Sequence, residues 1–82
     1  MTVKIYSTAT CAYCAMAKKF LNDNKVPFQE IRVDQDRQAL QEMVQKTGQM
    51  GVPVTIIVTD QGQEEIIVGF DKLRLNQLLG IK

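Results

Sequence analysis

The stretch Val52-Pro53-Val54-Thr55-Ile56-Ile57-Val58 limits the folds open to this chain more than any other. A strand with one wet face alternates apolar and polar residues. This run scarcely alternates, so both of its faces must be covered. It belongs at the centre of a sheet, with helices packed over it.

The rest of the chain supplies those partners in order. Val3-Lys4-Ile5-Tyr6 alternates as a short strand does. From Cys11 to about Asn24, Cys14, Ala17, Phe20 and Leu21 recur at helical spacing, with Lys18, Lys19, Asn22 and Asp23 on the other side. Pro27 cannot continue a helix, and Phe28 to Val33 resumes an extended pattern, parallel to the first strand because a helix joins them. Asp34 or Asp36 caps a second helix, whose apolar set Ala39, Leu40, Met43 and Val44 stops at Gly48. After the apolar run, Asp60-Gln61-Gly62-Gln63 makes a turn and Glu64 to Val68 returns as its hairpin partner. Asp71 caps a last helix, Phe70 and Leu75 form a hydrophobic staple, Leu78 and Leu79 join Leu75 in the core, and Gly80 closes it. The order βαβαββα predicts an α/β fold, a four-stranded mixed sheet flanked by helices, as a single domain over residues 1–82.

Bulk properties narrow the function by exclusion. The net charge of +1 offers no basic stripe for nucleic acid or an anionic membrane surface. With no eighteen-residue apolar run and no charged-then-apolar leader, a cytoplasmic protein is expected, and a monomer is the expected state. The absence of histidine excludes Ser-His-Asp and Cys-His catalysis.

The only two cysteines, Cys11 and Cys14, sit between the first strand and the first helix. Three residues apart at a helix start, their sulfurs share a face one turn apart, within reach of a disulfide. Such a bridge closes a very short loop and adds little stability, which suits a bond made and broken in use. At a helix N-terminus, unpaired N–H groups and the peptide dipoles stabilise a thiolate, and cysteine pKa values in that setting fall from about 8.5 to roughly 3.5–7.5. Cys11 is thus the expected attacker. Cys14, one turn further in, is expected to stay a shielded thiol and act as resolver.

Each reading has a plainer competitor. The cysteine pair is also half of a zinc site, but zinc wants four ligands and this chain brings two thiolates and no imidazole. Only a dimer or added glutathione completes a shell, as in a dimeric iron-sulfur carrier using Cys11. Tyr13 either shapes the approach to the thiols or is a loop aromatic. Lys18 and Lys19 read as a solvated face, and Lys72 and Arg74 read either as solvated surface or as contacts for a substrate carboxylate. Met43 has core spacing, whereas Met50 can offer an adaptable apolar contact to a partner.

Cys11-Ala12-Tyr13-Cys14 after the first strand, Val52-Pro53 before the third and Gly69-Phe70-Asp71 after the fourth resemble the glutaredoxin branch of the thioredoxin fold, over the whole chain. The resemblance implies a protein-disulfide reductase and electron carrier in which Cys11 attacks, Cys14 resolves, and Pro53, in cis, faces them. The implied substrate-binding set is Tyr13, Val52, Pro53, Gly69, Phe70 and Asp71. No bound cofactor or metal is expected, because the electrons reside in the cysteines, and the expected partners are disulfide-containing proteins and an electron donor. The departures bear on that donor. Thr8 stands where glutathione-dependent members commonly have lysine, Gly51 replaces the threonine of Thr-Val-Pro, Gly69-Phe70 replaces Gly-Gly, and Leu40 falls where Gln or Arg often meets glutathione. The Gly-Phe pair looks more like small redoxins that accept electrons from thioredoxin reductase and serve ribonucleotide reductase, although those commonly have other residues between the cysteines. A thioredoxin reductase-type flavoprotein is therefore the expected reductant, with glutathione a slower substitute.

Overall fold

A computed structural model describes residues 1–80; Ile81 and Lys82, the end of the expected domain, lie outside the described residues. The elements are β1 (Thr2–Ser7), α1 (Ala12–Asp23), β2 (Gln29–Arg32), α2 (Arg37–Thr47), β3 (Val54–Val58), β4 (Glu64–Val68) and α3 (Lys72–Leu79). The strands lie in the order β2-β1-β3-β4. β1 runs parallel to β2 and antiparallel to β3, and β4 is the hairpin partner of β3. The mixed four-stranded sheet is therefore the expected one, with β3 inside it.

The long apolar run is explained by two cores on opposite faces of that sheet. Val54 and Ile56 pack with Tyr6, Val33, Ala39 and Met43 under α2. Ile57, one step out of phase, packs with Val3, Leu21, Ile67 and Leu75 beneath α1 and α3. Successive side chains of a strand point to opposite faces, so a strand feeding both cores has no position left for a polar outward residue. Burying Val54, Ile56 and Ile57 contributes about 1.5–3 kcal/mol each.

Helix ends follow local chemistry. Asp36, not Asp34, caps α2, its carboxylate accepting the Ala39 N–H at 3.1 Å. Asp34 instead pairs with Arg32 and accepts the Ala9 N–H at 3.2 Å. Gly48 ends α2 at φ 72°, a left-handed conformation glycine adopts freely. Asp71 caps α3 by accepting the Arg74 N–H at 3.1 Å. Strand ends shift by a residue or two, with β1 longer and β2 shorter than the sequence reading, and two further boundaries differ for a chemical reason. Cys11 is the N-cap of α1 rather than its first helical residue, and β3 starts at Val54 because Pro53 has no N–H to give a ladder.

The topology fixes where a site can form. Tyr6 pairs with Val54, and Val54 with Val68, both antiparallel. The chain leaving β1, the chain entering β3 and the chain leaving β4 therefore meet at one end of the sheet.

Candidate active site

That end brings Cys11, Val52, Pro53 and Gly69 together. The Asp34 contact to Ala9 holds the loop before Cys11 against the end of β2. Cys11, extended at φ −96° and ψ 112°, turns its side chain back over the first turn of α1, where its sulfur accepts the backbone N–H of Cys14 at 3.1 Å. This is the N-cap arrangement with sulfur in place of oxygen, and it uses a donor that the helix start leaves unpaired. On its other side the Cys11 thiol donates to the Val52 carbonyl at 3.7 Å.

The two cysteines are chemically unlike. Both are free thiols. Cys11 is partly exposed, whereas Cys14 is fully buried, 0% of its surface reaching solvent. Burial, and then the hydrogen bond with Cys11, push the Cys14 thiol up to about 11. One sulfur is presented and the other is held back as a protonated thiol.

The other expected residues divide by role. The Val52–Pro53 bond is cis. Pro53 is buried, and its carbonyl accepts the Gly69 N–H at 2.8 Å. Gly69, at φ 82°, makes the left-handed turn that this tie requires. Tyr13 stands on the first turn of α1 with 63% of its surface exposed. Phe70 is turned inward, its ring edge-on to Phe20 at 6.0 Å, and the Asp71 carboxylate is engaged as the α3 cap. Phe70 and Asp71 thus have structural partners, and Phe70 lines a shallow groove with Met16, Phe20 and Lys72.

Cations near the site are also engaged. Lys72 lies 5.9 Å from the Phe20 ring centre, Arg74 bonds Glu65 at 3.2 Å, and Lys19 pairs with Asp23 one turn on. Lys18, expected on a solvated face, instead bonds Glu30 at 2.7 Å, and Glu30 also accepts from the buried Ser7 hydroxyl at 2.7 Å. Those two bonds, Lys18 first, draw the Glu30 carboxyl below its ordinary range. Sequence reasoning missed this pairing, and it missed Gln49, whose carboxamide contacts both backbone polar groups of Gly51. Neither has a sequence signature: Glu30 meets Lys18 only once β2 lies beside β1, and the Gln49 bonds to Gly51 depend on how the loop after α2 folds.

Among the described residues no three His, Cys, Asp or Glu gather to hold an ion. With Cys14 buried, this chain presents no cysteine thiol other than Cys11 at its surface. Nor is any helix among the described residues long and apolar enough to cross a membrane.

Comparison with known proteins agrees with the geometry. The chain is 42% identical over 82 residues to a glutaredoxin of Neisseria meningitidis serogroup B, covering 98% of this chain and 91% of that one. Among solved structures, a mutant of the thioredoxin-like protein BC3987 superposes with a TM-score of 0.85 at 27% identity, covering 99% and 97% of the two chains. The glutaredoxin-like NrdH-redoxin of Escherichia coli does so with a TM-score of 0.77 at 27% identity, covering 95% of each. The glutaredoxin family model matches residues 3–61, well over half the chain and including both cysteines and Pro53. This thioredoxin-fold chain belongs to the glutaredoxin family.

Proposed function

We propose that this protein reduces protein disulfides by dithiol exchange and is itself reduced by a thioredoxin reductase-type flavoprotein in preference to glutathione. Family membership carries the thiol–disulfide redox role. The observation that supports the dithiol route is the asymmetry of the pair, an accessible Cys11 sulfur that accepts an N–H beside a buried Cys14 held as a thiol near 11. The Cys11 thiolate attacks one sulfur of a substrate disulfide, forming a mixed disulfide and releasing the first substrate thiolate. Cys14 then gives up its proton and attacks the Cys11 sulfur, releasing the second thiolate. The substrate gains two electrons, and the protein is left with a Cys11–Cys14 disulfide.

The choice of donor rests on what the surface offers glutathione, whose two carboxylates call for cations or free amides. Leu40 packs against the α2 core and lines an apolar groove with Val44 and Met50. At the start of α3 the Arg74 amide is taken by Asp71, and the side chains of Lys72 and Arg74 have partners within the chain. Each missing charge-assisted bond costs about 1.5–3 kcal/mol, tenfold or more in affinity. The structural likeness to NrdH-redoxin, a glutaredoxin-like protein with a thioredoxin-like activity profile, points the same way.

The test is NADPH consumption with a protein disulfide as acceptor, supplying thioredoxin reductase in one arm and glutathione with glutathione reductase in the other. Faster turnover in the first arm is expected. Glutathione turnover equal to that of a typical dithiol glutaredoxin, with none from thioredoxin reductase, overturns the choice of donor. Loss of activity in both arms for wild-type protein overturns the reductase reading itself.

A further inference from the structure

The loop that leads into Pro53 is tied down by side chains whose positions a packing role alone does not explain. At the end of α2 the Thr47 hydroxyl donates to the Met43 carbonyl at 2.7 Å and accepts the Gln49 backbone N–H at 3.4 Å. Gln49 then folds its carboxamide over Gly51: Nε2 donates to the Gly51 carbonyl at 3.0 Å, and Oε1 accepts the Gly51 N–H. A backbone N–H can only donate and a carbonyl only accept, so this pair of bonds fixes which way the amide points. The carboxamide pairs with Gly51 as a residue on a neighbouring strand would.

Gly51 suits this arrangement for a second reason. A Cβ built there lies 2.6 Å from Gln49 Oε1, so any side chain at position 51 evicts the amide. The next two carbonyls face elsewhere, Val52 to the Cys11 sulfur at 3.7 Å and Pro53 to the Gly69 N–H. The polar groups of Gly51 are occupied, and the Val52 carbonyl is turned to the reacting sulfur.

We infer that Gln49 is a positioning residue whose clasp on Gly51 sets the Val52 backbone in register for an extended peptide carrying the target disulfide. The inference rests on the reductase reading above, with an extended peptide pairing to Val52, and adds to it the residue that holds that backbone in place, Gln49. A small disulfide with no peptide backbone gains nothing from the clasp.

The experiment measures kcat and KM for a peptide disulfide and for a small aromatic disulfide, using wild type, Gln49→Ala, Gly51→Ala, the double variant and Gln49→Glu, all checked for equal melting temperature. Gln49→Ala is expected to raise KM for the peptide about three- to tenfold, the worth of about one hydrogen bond, with kcat and small-disulfide reduction unchanged. Gly51→Ala should do the same by evicting the amide, and the double variant should be no worse than either single one. Gln49→Glu keeps the acceptor but loses the donor, so an intermediate KM is expected. An unchanged peptide KM, equal losses on both substrates, or additive losses in the double variant overturns the inference. Wild-type protein that reduces neither substrate overturns the reductase reading on which the inference rests.

Discussion

The buried thiol makes a prediction that separates the two halves of the exchange. Cys14 is raised from 9.0 to about 11, so at pH 7 about one thiol in ten thousand is ionised, a hundredfold fewer than for an exposed cysteine of pKa about 9. A more basic thiolate is also a better nucleophile. With a Brønsted slope of about 0.4–0.5, two units return roughly an eightfold gain, so burial slows Cys14 by a net factor of about ten. Its rate should then climb about tenfold for each pH unit from 6 to 8.5. A chromogenic aromatic disulfide reports this in stopped flow, because one thiolate leaves when Cys11 attacks and the second when Cys14 resolves. The second phase is expected to rise with unit slope, and Cys14→Ser should lose it while retaining the first phase and a stable adduct on Cys11. A second phase that levels off below pH 8 refutes the account of Cys14 as a protonated, buried resolver.

Stability should carry the same proton. Cys14 keeps its proton in the fold above the pH at which it would lose it unfolded, so its contribution is whole below about pH 9 and lost as pH rises towards about 11. Reduced wild type should therefore lose about 2–3 kcal/mol more than Cys14→Ala across that window, read from urea midpoints. At the acid end, Ser7→Ala removes a buried hydroxyl from the Glu30 carboxylate. Because Glu30 is about a third exposed and keeps Lys18, a discounted cost of about 1 kcal/mol, or roughly 4–8 °C, is expected at pH 7. The folded Glu30 pKa is lowered, so this difference should shrink as pH falls below about 4.5, and an equal difference at pH 7 and pH 3 counts against it.

What could be read from the sequence was whatever repeats with the period of an element or sits at its end. The Val54–Val58 strand betrayed its two covered faces by failing to alternate, and Asp71 with Phe70 and Leu75 marked the start of α3 before any coordinates. The cysteine pair was legible because its chemistry depends on a helix start, which strand-then-helix patterning locates. Choices between equivalent residues were not legible. Asp34 and Asp36 are equally good caps in isolation, and what divides them is Arg32 and Ala9, which reach only Asp34 once β2 lies beside β1. Lys18 was read as solvated for the same reason, since its partner Glu30 is brought across by the parallel pairing of Ile5 with Glu30.

Two departures from the glutathione-binding pattern have a structural counterpart. Where a charged or hydrogen-bonding side chain would greet a small anionic thiol, this chain has Leu40 against Val44 and Met50, with Met50 67% exposed. Where a threonine would sit before Val52, Gly51 leaves room for the Gln49 amide. Exposed Tyr13, Met16 and Met50 add apolar area that a tripeptide cannot cover but a protein can. A partner burying such area gains about 25 cal/mol for each Å² removed from water before the costs of association, while glutathione would have to rely on polar contacts of which several are already taken within the chain. This exposed apolar area is the ground on which the proposed function prefers a protein disulfide as acceptor and a flavoprotein as donor.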